Sequence, residues 1–318
     1  MADQSPIAVV DIGSNSICLL VVAPLPQGGV QIVAKVKDSA KLRSHIDDAG
    51  VLSEAAIDRT MAVLLRFREH LDGLRAEVRV VATAALRAAT NAESFVQRAL
   101  QETGLRIEVI SGNEEAELAW LGVLHGMGPQ PGRVLCADVG GGSTELLLGE
   151  GGRALHTVSL PIGALVVAQR WLGADPVEPW RIETARRELA EHLAPALSGF
   201  RHQIEVFGTA TSGTIQRVAR IHRTLHGLPA DDLTGAVVRP ADMTEVIDRL
   251  IAAPNLVQRL AIPGMDAQRA DSLLGGALIY EALSDALHLP GWRVSLEGLR
   301  MGVIAKVLEQ RGLWQRPV

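Results

Sequence analysis

The sequence predicts an α/β protein made of two similar domains that face each other across a cleft. Residues 7–23 and 133–149 carry this prediction, because each reads as an apolar strand with an aspartate near its end, a small polar turn and a second apolar strand. The two stretches lie about half the chain length apart, and self-similarity at such a distance is typical of repeated domains. Helical patterns between and after them supply the layers that would cover the sheets.

The composition is that of an ordinary globular protein with a large core. The 318 residues are 47% hydrophobic and 21% charged, enough for about two domains, and the net charge of −5 disfavours a globally basic nucleic-acid binder. Cys18 and Cys136 lie in apolar runs and are interpreted as buried thiols of a reducing compartment. The first residues lack a signal-peptide pattern and no uncharged run reaches about 18 residues, so we expect a cytoplasmic protein without a membrane segment.

The remaining elements follow from periodicity and end signals, taken in chain order. Ser53 is an N-cap for an amphipathic helix over 53–71, and Asn91 begins a helix that closes near Gly104. Short apolar runs predict strands at 78–82, 107–110, 155–160, 204–207 and 293–296. Helical patterns predict helices at 178–199, 241–253, 266–288 and 297–311, and one that follows the strand at 204–207.

The turn within residues 138–145 (Asp-Val-Gly-Gly-Gly-Ser-Thr-Glu) has the chemistry of an anion site. Three glycines allow positive φ and close approach of the backbone, and successive N–H groups in such a turn form a concave nest for anions. Ser143 and Thr144 add hydroxyl donors. Asp138 and Glu145 would repel a bare phosphate, so they indicate a divalent cation such as Mg²⁺ between carboxylates and phosphate. A glycine-rich hairpin with acidic residues facing water is the alternative for this turn alone.

The turn at residues 11–16 (Asp-Ile-Gly-Ser-Asn-Ser) repeats the same design, and two such turns are stronger evidence than one. Between them, Ser111 and Glu114 form a capping box, which predicts a helix start and gives Glu114 a structural task. Glu115 has no such task, and Glu117 is expected to be solvated. The helix dipole favours acids in any first turn, so this pattern alone does not choose among the three glutamates.

Four segments together are similar to the exopolyphosphatase/guanosine pentaphosphate phosphohydrolase (Ppx/GppA) family of the actin-like ATPase superfamily. They are residues 11–16, 83–87 (Thr-Ala-Ala-Leu-Arg), 111–116 (Ser-Gly-Asn-Glu-Glu-Ala) and 138–145. The resemblance covers the first half of the chain closely and continues more weakly to near residue 303. It implies two actin-like (ribonuclease H-like) domains, each with a central mixed sheet flanked by helices. The implied boundaries are 1–125 plus 300–318, where the last helix packs back on the first domain, and 126–299.

The resemblance also implies residue roles. Glu115 matches the general base that activates the attacking water. Phosphate binding is implied for the two turns and one arginine, namely Gly13, Ser14, Asn15, Ser16, Arg87, Gly140, Gly141, Gly142, Ser143 and Thr144. A bound Mg²⁺, or another divalent cation, is assigned to Asp11, Asp138 and Glu145.

The implied activity is release of orthophosphate from the end of inorganic polyphosphate by Mg²⁺-assisted attack of water. Hydrolysis of guanosine pentaphosphate (pppGpp) is the main alternative, followed by a kinase or ATPase of the same fold and by a non-catalytic sensor of polyphosphate or alarmone. The expected partners are polyphosphate and pppGpp or ppGpp, with no nucleic acid and no membrane. Family resemblance suggests a homodimer.

Several residues depart from the family pattern or stay outside it. Cys18 stands where a basic residue or histidine is common and Lys41 stands for arginine, which predicts a preference for short polyphosphates. The arginines at 217, 220 and 223 form a rough helical stripe that would either guide a polyanion or face solvent. His222 and His226 have i, i+4 spacing, but no carboxylate motif accompanies them, so a zinc site is not predicted. The segment 269–271 (Arg-Ala-Asp) resembles a family signature and is interpreted as structural.

Overall fold

The computed structural model describes residues 3–200 and 207–317, and its strands form two mixed sheets. The first sheet has the order β3-β2-β1-β4-β5. Its strands are β1 (Ile7–Ile12), β2 (Ile17–Pro24), β3 (Val30–Asp38), β4 (Glu77–Ala82) and β5 (Ile107–Val109). The second sheet has the order β10-β11-β9-β6-β7-β8. Its strands are β6 (Arg133–Val139), β7 (Thr144–Glu150), β8 (Arg153–Leu160), β9 (Gly208–Thr211), β10 (Val237–Val238) and β11 (Trp292–Ser295).

Helices cover both sheets. They are α1 (Glu54–Leu71), α2 (Ala84–Ala88), α3 (Ala92–Thr103), α4 (Gly112–Met127), α5 (Ala164–Val167), α6 (Pro179–Leu197), α7 (Gly213–Leu225), α8 (Pro240–Ile251), α9 (Leu256–Leu260), α10 (Leu273–Leu287) and α11 (Leu299–Gln310). The predicted fold class is confirmed, because two mixed sheets with flanking helices line a common cleft. Among the residues the structure describes, no helix is both long and apolar enough to cross a membrane.

Most predicted elements are present within a few residues of their expected ends. The helix predicted at 53–71 is α1, which starts after Ser53 and buries Ile57, Met61 and Leu64 on one face. The helix predicted at 266–288 is wrong at its start, since α10 begins at Leu273 and the preceding segment is held in tight turns such as Arg269 N–H to Asp266 O. The strand predicted at 204–207 lies outside the described residues except for Phe207.

Each sheet has its own apolar core, and α4 lies between the two. One core joins the first sheet to α1 and α3, and another joins the second sheet to α6, α7, α8 and α10. The opposite face of the first sheet is covered by α4 and α11. These two helices cross so closely that a Cβ on Gly122 or Gly302 would collide with the backbone of the other helix. Helix α4 also packs on the second sheet through Trp120 and Val123, and the domain boundary at 125/126 stays a prediction.

Candidate active site

The two hairpin turns have the same backbone hydrogen bond. Gly13 N–H donates to Ser16 O at 3.0 Å between β1 and β2, and Gly140 N–H donates to Ser143 O at 2.9 Å between β6 and β7. None of the glycines in these turns has φ in the left-handed region, so the positive φ that glycine allows is not what this turn requires. Glycine is required at these positions because a side chain would not have enough space.

The turns touch each other across the cleft. A Cβ on Gly142 would collide with Ser14 Oγ, and a Cβ on Gly141 would lie 3.3 Å from the Cβ atoms of Ser14 and Asn15. Real Cβ contacts are rarely so close. The glycines of the second turn therefore make room for the side chains of the first.

The carbonyl groups of both turns are held from behind. Ser14 O and Asn15 O accept from the N–H groups of Arg43 and Lys41 at 3.1 and 2.9 Å. Gly140 O and Gly141 O accept in the same way from the first residues of α5, Ala164 and Leu165, both at 2.9 Å. In a trans peptide the N–H points opposite to the C=O. The N–H groups that follow these carbonyls therefore point away from the backing segments, and they belong to Asn15, Ser16, Gly141 and Gly142.

Gly163 permits this backing, because a Cβ there would strike the peptide between Gly141 and Gly142. The segment after β8 packs closely behind the second turn and thus holds that turn in place at the cleft.

The cleft has a volume of about 550 Å³ and is lined from both domains. Most residues with predicted roles meet here: Asp11, Gly13, Ser14, Asn15, Ser16, Glu115, Asp138, Gly140, Gly141, Gly142 and Ser143. Arg87, Thr144 and Glu145 lie behind this lining. The hydroxyl of Thr144 donates to Ile162 O at 2.6 Å, so it serves the fold on the side away from the cleft.

Four carboxyl groups gather at the inner end of the cleft, and each is poorly disposed to ionise. Burial, and after it the charges of Glu115 and Asp11, raises the pKa of Asp138 to about 8. Burial and then Asp138 raise the pKa of Glu145 to about 7. Burial and then Glu145 raise the pKa of Glu115 well above its usual range, and burial raises that of Asp11. Cationic charge at this end would favour the ionised forms.

Arg87 joins two of these carboxylates. Its Nη1 lies 2.6 Å from Glu115 Oε2 and 3.1 Å from Ile110 O, while its Nη2 lies 3.5 Å from Glu145 Oε1. Ser159 Oγ donates to the same Glu145 oxygen at 2.8 Å. Both glutamates are therefore fixed in position, and the predicted role of Arg87 as a phosphate ligand stays a prediction.

The start of α4 has the predicted N-cap, but the predicted capping box is only half formed. Ser111 Oγ accepts from Glu114 N at 3.2 Å, and the Glu114 carboxylate reaches Lys306 Nζ at 3.4 Å instead of closing the capping box. Glu115 is only 8% exposed and faces the cleft, whereas Glu117 is exposed. Position in the first turn thus separates the three glutamates.

Cationic side chains also line the cleft, and the sequence analysis assigned no role to Lys35, Lys37 or Arg300 among them. They are Lys35, Lys37, Arg217, Arg220, Arg269 and Arg300. Arg300 Nη1 lies 3.7 Å from Asp11 Oδ2, and the close approach of Arg269 requires glycine at 213. The segment 269–271 was interpreted as structural, and no local motif marks Arg300, which the start of α11 brings in from a distant position.

Lys41 and Asn15 contact the other domain directly. Lys41 Nζ forms an ion pair with Asp271, and Asn15 Nδ2 donates to Gln268 O at 3.3 Å. Asn15 Oδ1, Ser14 Oγ and Arg217 Nε are buried and have no hydrogen-bond partner among the residues that the structure describes. Buried polar atoms rarely lack partners, so these three indicate a ligand or ordered water in the cleft.

A profile of the Ppx/GppA phosphatase family matches residues 21–311. The chain belongs to this family. It is similar to the solved structure of an exopolyphosphatase from Cytophaga hutchinsonii ATCC 33406, with 26% identity, a TM-score of 0.87, and coverage of 98% of this chain and 100% of that one. It is also similar to a Ppx/GppA family member from Aquifex aeolicus, with 28% identity, a TM-score of 0.80, and coverage of 96% and 98%.

Membership of the Ppx/GppA family supports a hydrolase that cleaves phosphoanhydride bonds. The predicted family resemblance is confirmed, although the profile match does not test the roles of single residues. The cleft of this family member brings together a pair of amide-lined turns, a cluster of buried carboxylates and several cationic side chains.

Proposed function

We propose that this protein is an exopolyphosphatase that releases orthophosphate from the terminus of inorganic polyphosphate. The observation that carries the proposal is the composition of the cleft, in which the two turns and the carboxylates of Asp11, Glu115 and Asp138 share one lining with several cationic side chains. A linear polyanion fits this arrangement, since its tail meets the cations and its last phosphate reaches the two turns. The N–H groups of Asn15, Ser16, Gly141 and Gly142 would hold that last phosphate.

The cations are crowded, which supports a polyanionic ligand. Desolvation, and after it the charge of Arg269, lowers the pKa of Lys37. Desolvation lowers the pKa of Arg217. The charge of Asp266 raises this pKa, whereas the charge of Arg220 lowers it further. A bound chain of phosphates would relieve this repulsion, and Arg217 Nε is a buried donor that still lacks an acceptor.

The residues at the inner end fit a divalent cation. Asp11, Asp138 and Glu145 offer hard oxygen ligands, which Mg²⁺ prefers, and the raised pKa values of Asp138 and Glu145 reflect negative charge that burial leaves poorly compensated. Asn15 Oδ1 is a further acceptor without a partner. We infer that these residues would hold Mg²⁺ or a similar cation. When bound, such a cation supplies charge neutralisation for the phosphoryl oxygens.

Glu115 is the residue we propose as general base. A carboxylate with a raised pKa is a better proton acceptor near neutral pH, and the ion pair with Arg87 fixes its Oε2. The second oxygen is then available to orient water for in-line attack on the terminal phosphate. We infer that Arg87 positions both Glu115 and Glu145, and that Ser14 Oγ donates to the substrate.

The decisive experiment is phosphate release from polyphosphates of defined length and from pppGpp, with Mg²⁺ or EDTA. We expect Mg²⁺-dependent release from polyphosphate with higher kcat/KM than from pppGpp. Faster release from pppGpp would replace the proposed substrate with the alarmone. Tight binding of either compound without release would indicate a sensor, and ATP-dependent phosphorylation of an added alcohol or carboxylate would indicate a kinase.

The same set of polyphosphates tests whether the enzyme prefers short or long chains. The preference for short polyphosphates, predicted from Cys18 and Lys41, requires kcat/KM to fall as the chain lengthens. Equal or better use of long chains would contradict it, and would fit the presence of Lys37 opposite Cys18 in the sheet. The predicted homodimer stays a prediction that light scattering can check.

A further inference from the structure

We propose a transition-metal site of the Zn²⁺ class on the outer surface of the second domain, formed by His222, His226 and Glu245. The two histidines lie one helical turn apart at the end of α7, and Glu245 reaches them from the neighbouring α8. Among the residues described, these three side chains form a group whose nitrogen and oxygen atoms all lie within 4.8 Å of one another.

The ligand atoms converge on one point. Glu245 Oε2 lies 2.9 Å from His222 Nδ1 and 3.0 Å from His226 Nε2. A tetrahedral zinc ion with bonds of about 2.0–2.1 Å holds its ligand atoms roughly 3.3 Å apart. The site therefore needs only a small outward shift of the three side chains to admit the ion. In its absence, hydrogen bonds from the two imidazoles to Glu245 account for the same distances.

A carboxylate lies near the other nitrogen of His222, at an ion-pair distance slightly longer than a hydrogen bond. His222 Nε2 lies 3.7 Å from Asp242 Oδ1, on the side of the ring away from Glu245. Asp242 is itself fixed, because its Oδ2 accepts from Arg239 N at 2.9 Å in the capping box of α8. A carboxylate on the distal ring nitrogen orients a metal-bound histidine and selects its tautomer.

The ligand types distinguish this site from the inner end of the cleft. Two imidazoles and one carboxylate suit Zn²⁺ and related ions, whereas Mg²⁺ prefers oxygen alone. The side chain of His226 is 50% exposed, so the ion can enter and water can complete its coordination. Helix α7 lines the cleft from Gly213 to Arg220, and the two histidines follow at the C-terminal end of the helix. A bound ion would thus tie α7 to α8 behind the cleft wall.

Sequence spacing alone did not predict a site here, because no carboxylate motif accompanies the two histidines. Packing of α7 on α8 supplies Glu245 and Asp242. The inference does not depend on the proposed phosphatase activity, since none of these residues lines the cleft.

The test is titration of the full chain with Co²⁺, followed by visible absorption and by calorimetry with Zn²⁺. Millimolar Mg²⁺ is kept present to occupy the oxygen ligands of the cleft. We expect one equivalent of Co²⁺ with the strong absorption of a tetrahedral site. His226→Gln and Glu245→Gln should each weaken binding by at least about a hundredfold, and Asp242→Asn by about tenfold.

Two matched variants control for the loss of a histidine or a carboxylate. His70→Gln removes an exposed histidine from α1, and Asp248→Asn removes an exposed acid from α8, and both should bind Co²⁺ like the wild type. Zn²⁺ should raise the Tm of the wild type and of these controls but not that of His226→Gln. Circular dichroism establishes that each variant is folded. Absence of Co²⁺ binding by the wild type, or unchanged binding by folded His226→Gln, would overturn the proposal.

Discussion

The two hairpins of the cleft are nearly the same in backbone and different in side chains. Gly13 and Gly140 each donate to the serine three residues later, and both turns are held through two carbonyl groups by the segment after the third strand. The first turn carries Ser14 and Asn15, whereas the second carries only glycine before Ser143. Contact between the turns explains the difference, because only one of them can carry side chains at the point where they meet.

The strands beside the turns diverge in charge. Register aligns two equivalent rows, Asp11, Cys18 and Lys37 in the first sheet, and Asp138, Glu145 and Ser159 in the second. The first row has the thiol of Cys18 where the second has the acid Glu145, and the cation Lys37 where the second has the hydroxyl of Ser159. A duplicated backbone thus provides two anion-holding turns, and substitution at equivalent strand positions gives the cleft an acidic and a basic side.

The largest expected effect is that of replacing Glu115, the proposed general base. Glu115→Gln keeps the shape and the contact with Arg87 but removes the base, so we expect kcat for phosphate release to fall by about 10²–10⁴. Glu117→Gln changes an exposed glutamate of the same helix and should leave kcat within about twofold. Near wild-type release by Glu115→Gln would remove the proposed base.

A somewhat smaller loss is expected when the two turns are forced apart. Alanine at Gly142 would meet Ser14 Oγ and, once that rotates, Ser14 Cβ at 3.1 Å. We expect Gly142→Ala to lower kcat/KM by up to about 10²-fold, because misplacement of the substrate by an ångström has that effect. Ser14→Gly should relieve part of this collision. In a double-mutant cycle, Gly142→Ala should therefore lower kcat/KM less in the Ser14→Gly background than in the wild type.

The control for this cycle lies in the same turn. A Cβ on Gly140 meets only Ser143 O, at 3.3 Å, so Gly140→Ala should disturb the cleft less than Gly142→Ala. Equal losses from both alanines, independent of residue 14, would mean that turn flexibility rather than contact between the turns requires glycine.

Much of this site could be predicted from local sequence, because its parts are local. A strand, an aspartate and a small-residue turn are coded within residues 7–23 and again within 133–149, and the N-cap at Ser111 separates Glu114 from Glu115. Alternation along β7 also explains the placement of Thr144. Glu145 pairs with Asp138, so its neighbour Thr144 must face the other side of the sheet.

The rest depends on packing between distant segments. Arg269 lies in turns before α10, and Arg300 lies on α11, whose approach to the first sheet is set by its glycine contact with α4. Lys41 faces Asp271 only because the domains meet there. Such contacts between distant segments leave no periodic trace in the sequence. Sequence reasoning therefore interpreted the segment of Arg269 as structural, assigned Arg300 no role and treated Lys41 as a weaker phosphate ligand.

The buried carboxyls of the second row should make stability depend on pH. Burial raises the pKa of Asp138 to about 8 and that of Glu145 to about 7, so the folded chain holds protons that the unfolded chain has released. Without a divalent cation, the free energy of unfolding should therefore fall as the pH rises from about 4 to 8, by at most about 1.4 kcal/mol per pH unit for each group. Tm measured across this range in EDTA checks the slope.

Asp138→Asn should flatten that slope, and Mg²⁺ should flatten it in the wild type because the cation favours the ionised carboxylates. Asp248→Asn, at an exposed position, is the control and should keep the slope of the wild type. Stability that stays constant or rises between about pH 4 and 8 in EDTA would contradict the raised pKa values.

The smallest effect is expected on the basic side, at the first-sheet position equivalent to Ser159. Lys37→Gln removes one of several cations along the outer cleft, so kcat should change little while KM for long polyphosphate rises about threefold to tenfold. Because the contact is electrostatic, the difference from the wild type should shrink as salt increases. Arg187→Gln makes the same change of charge on the outer face of α6 and should not alter KM. An equal rise in KM for both variants would mean that net charge, not the cationic wall of the cleft, recruits the polyanion.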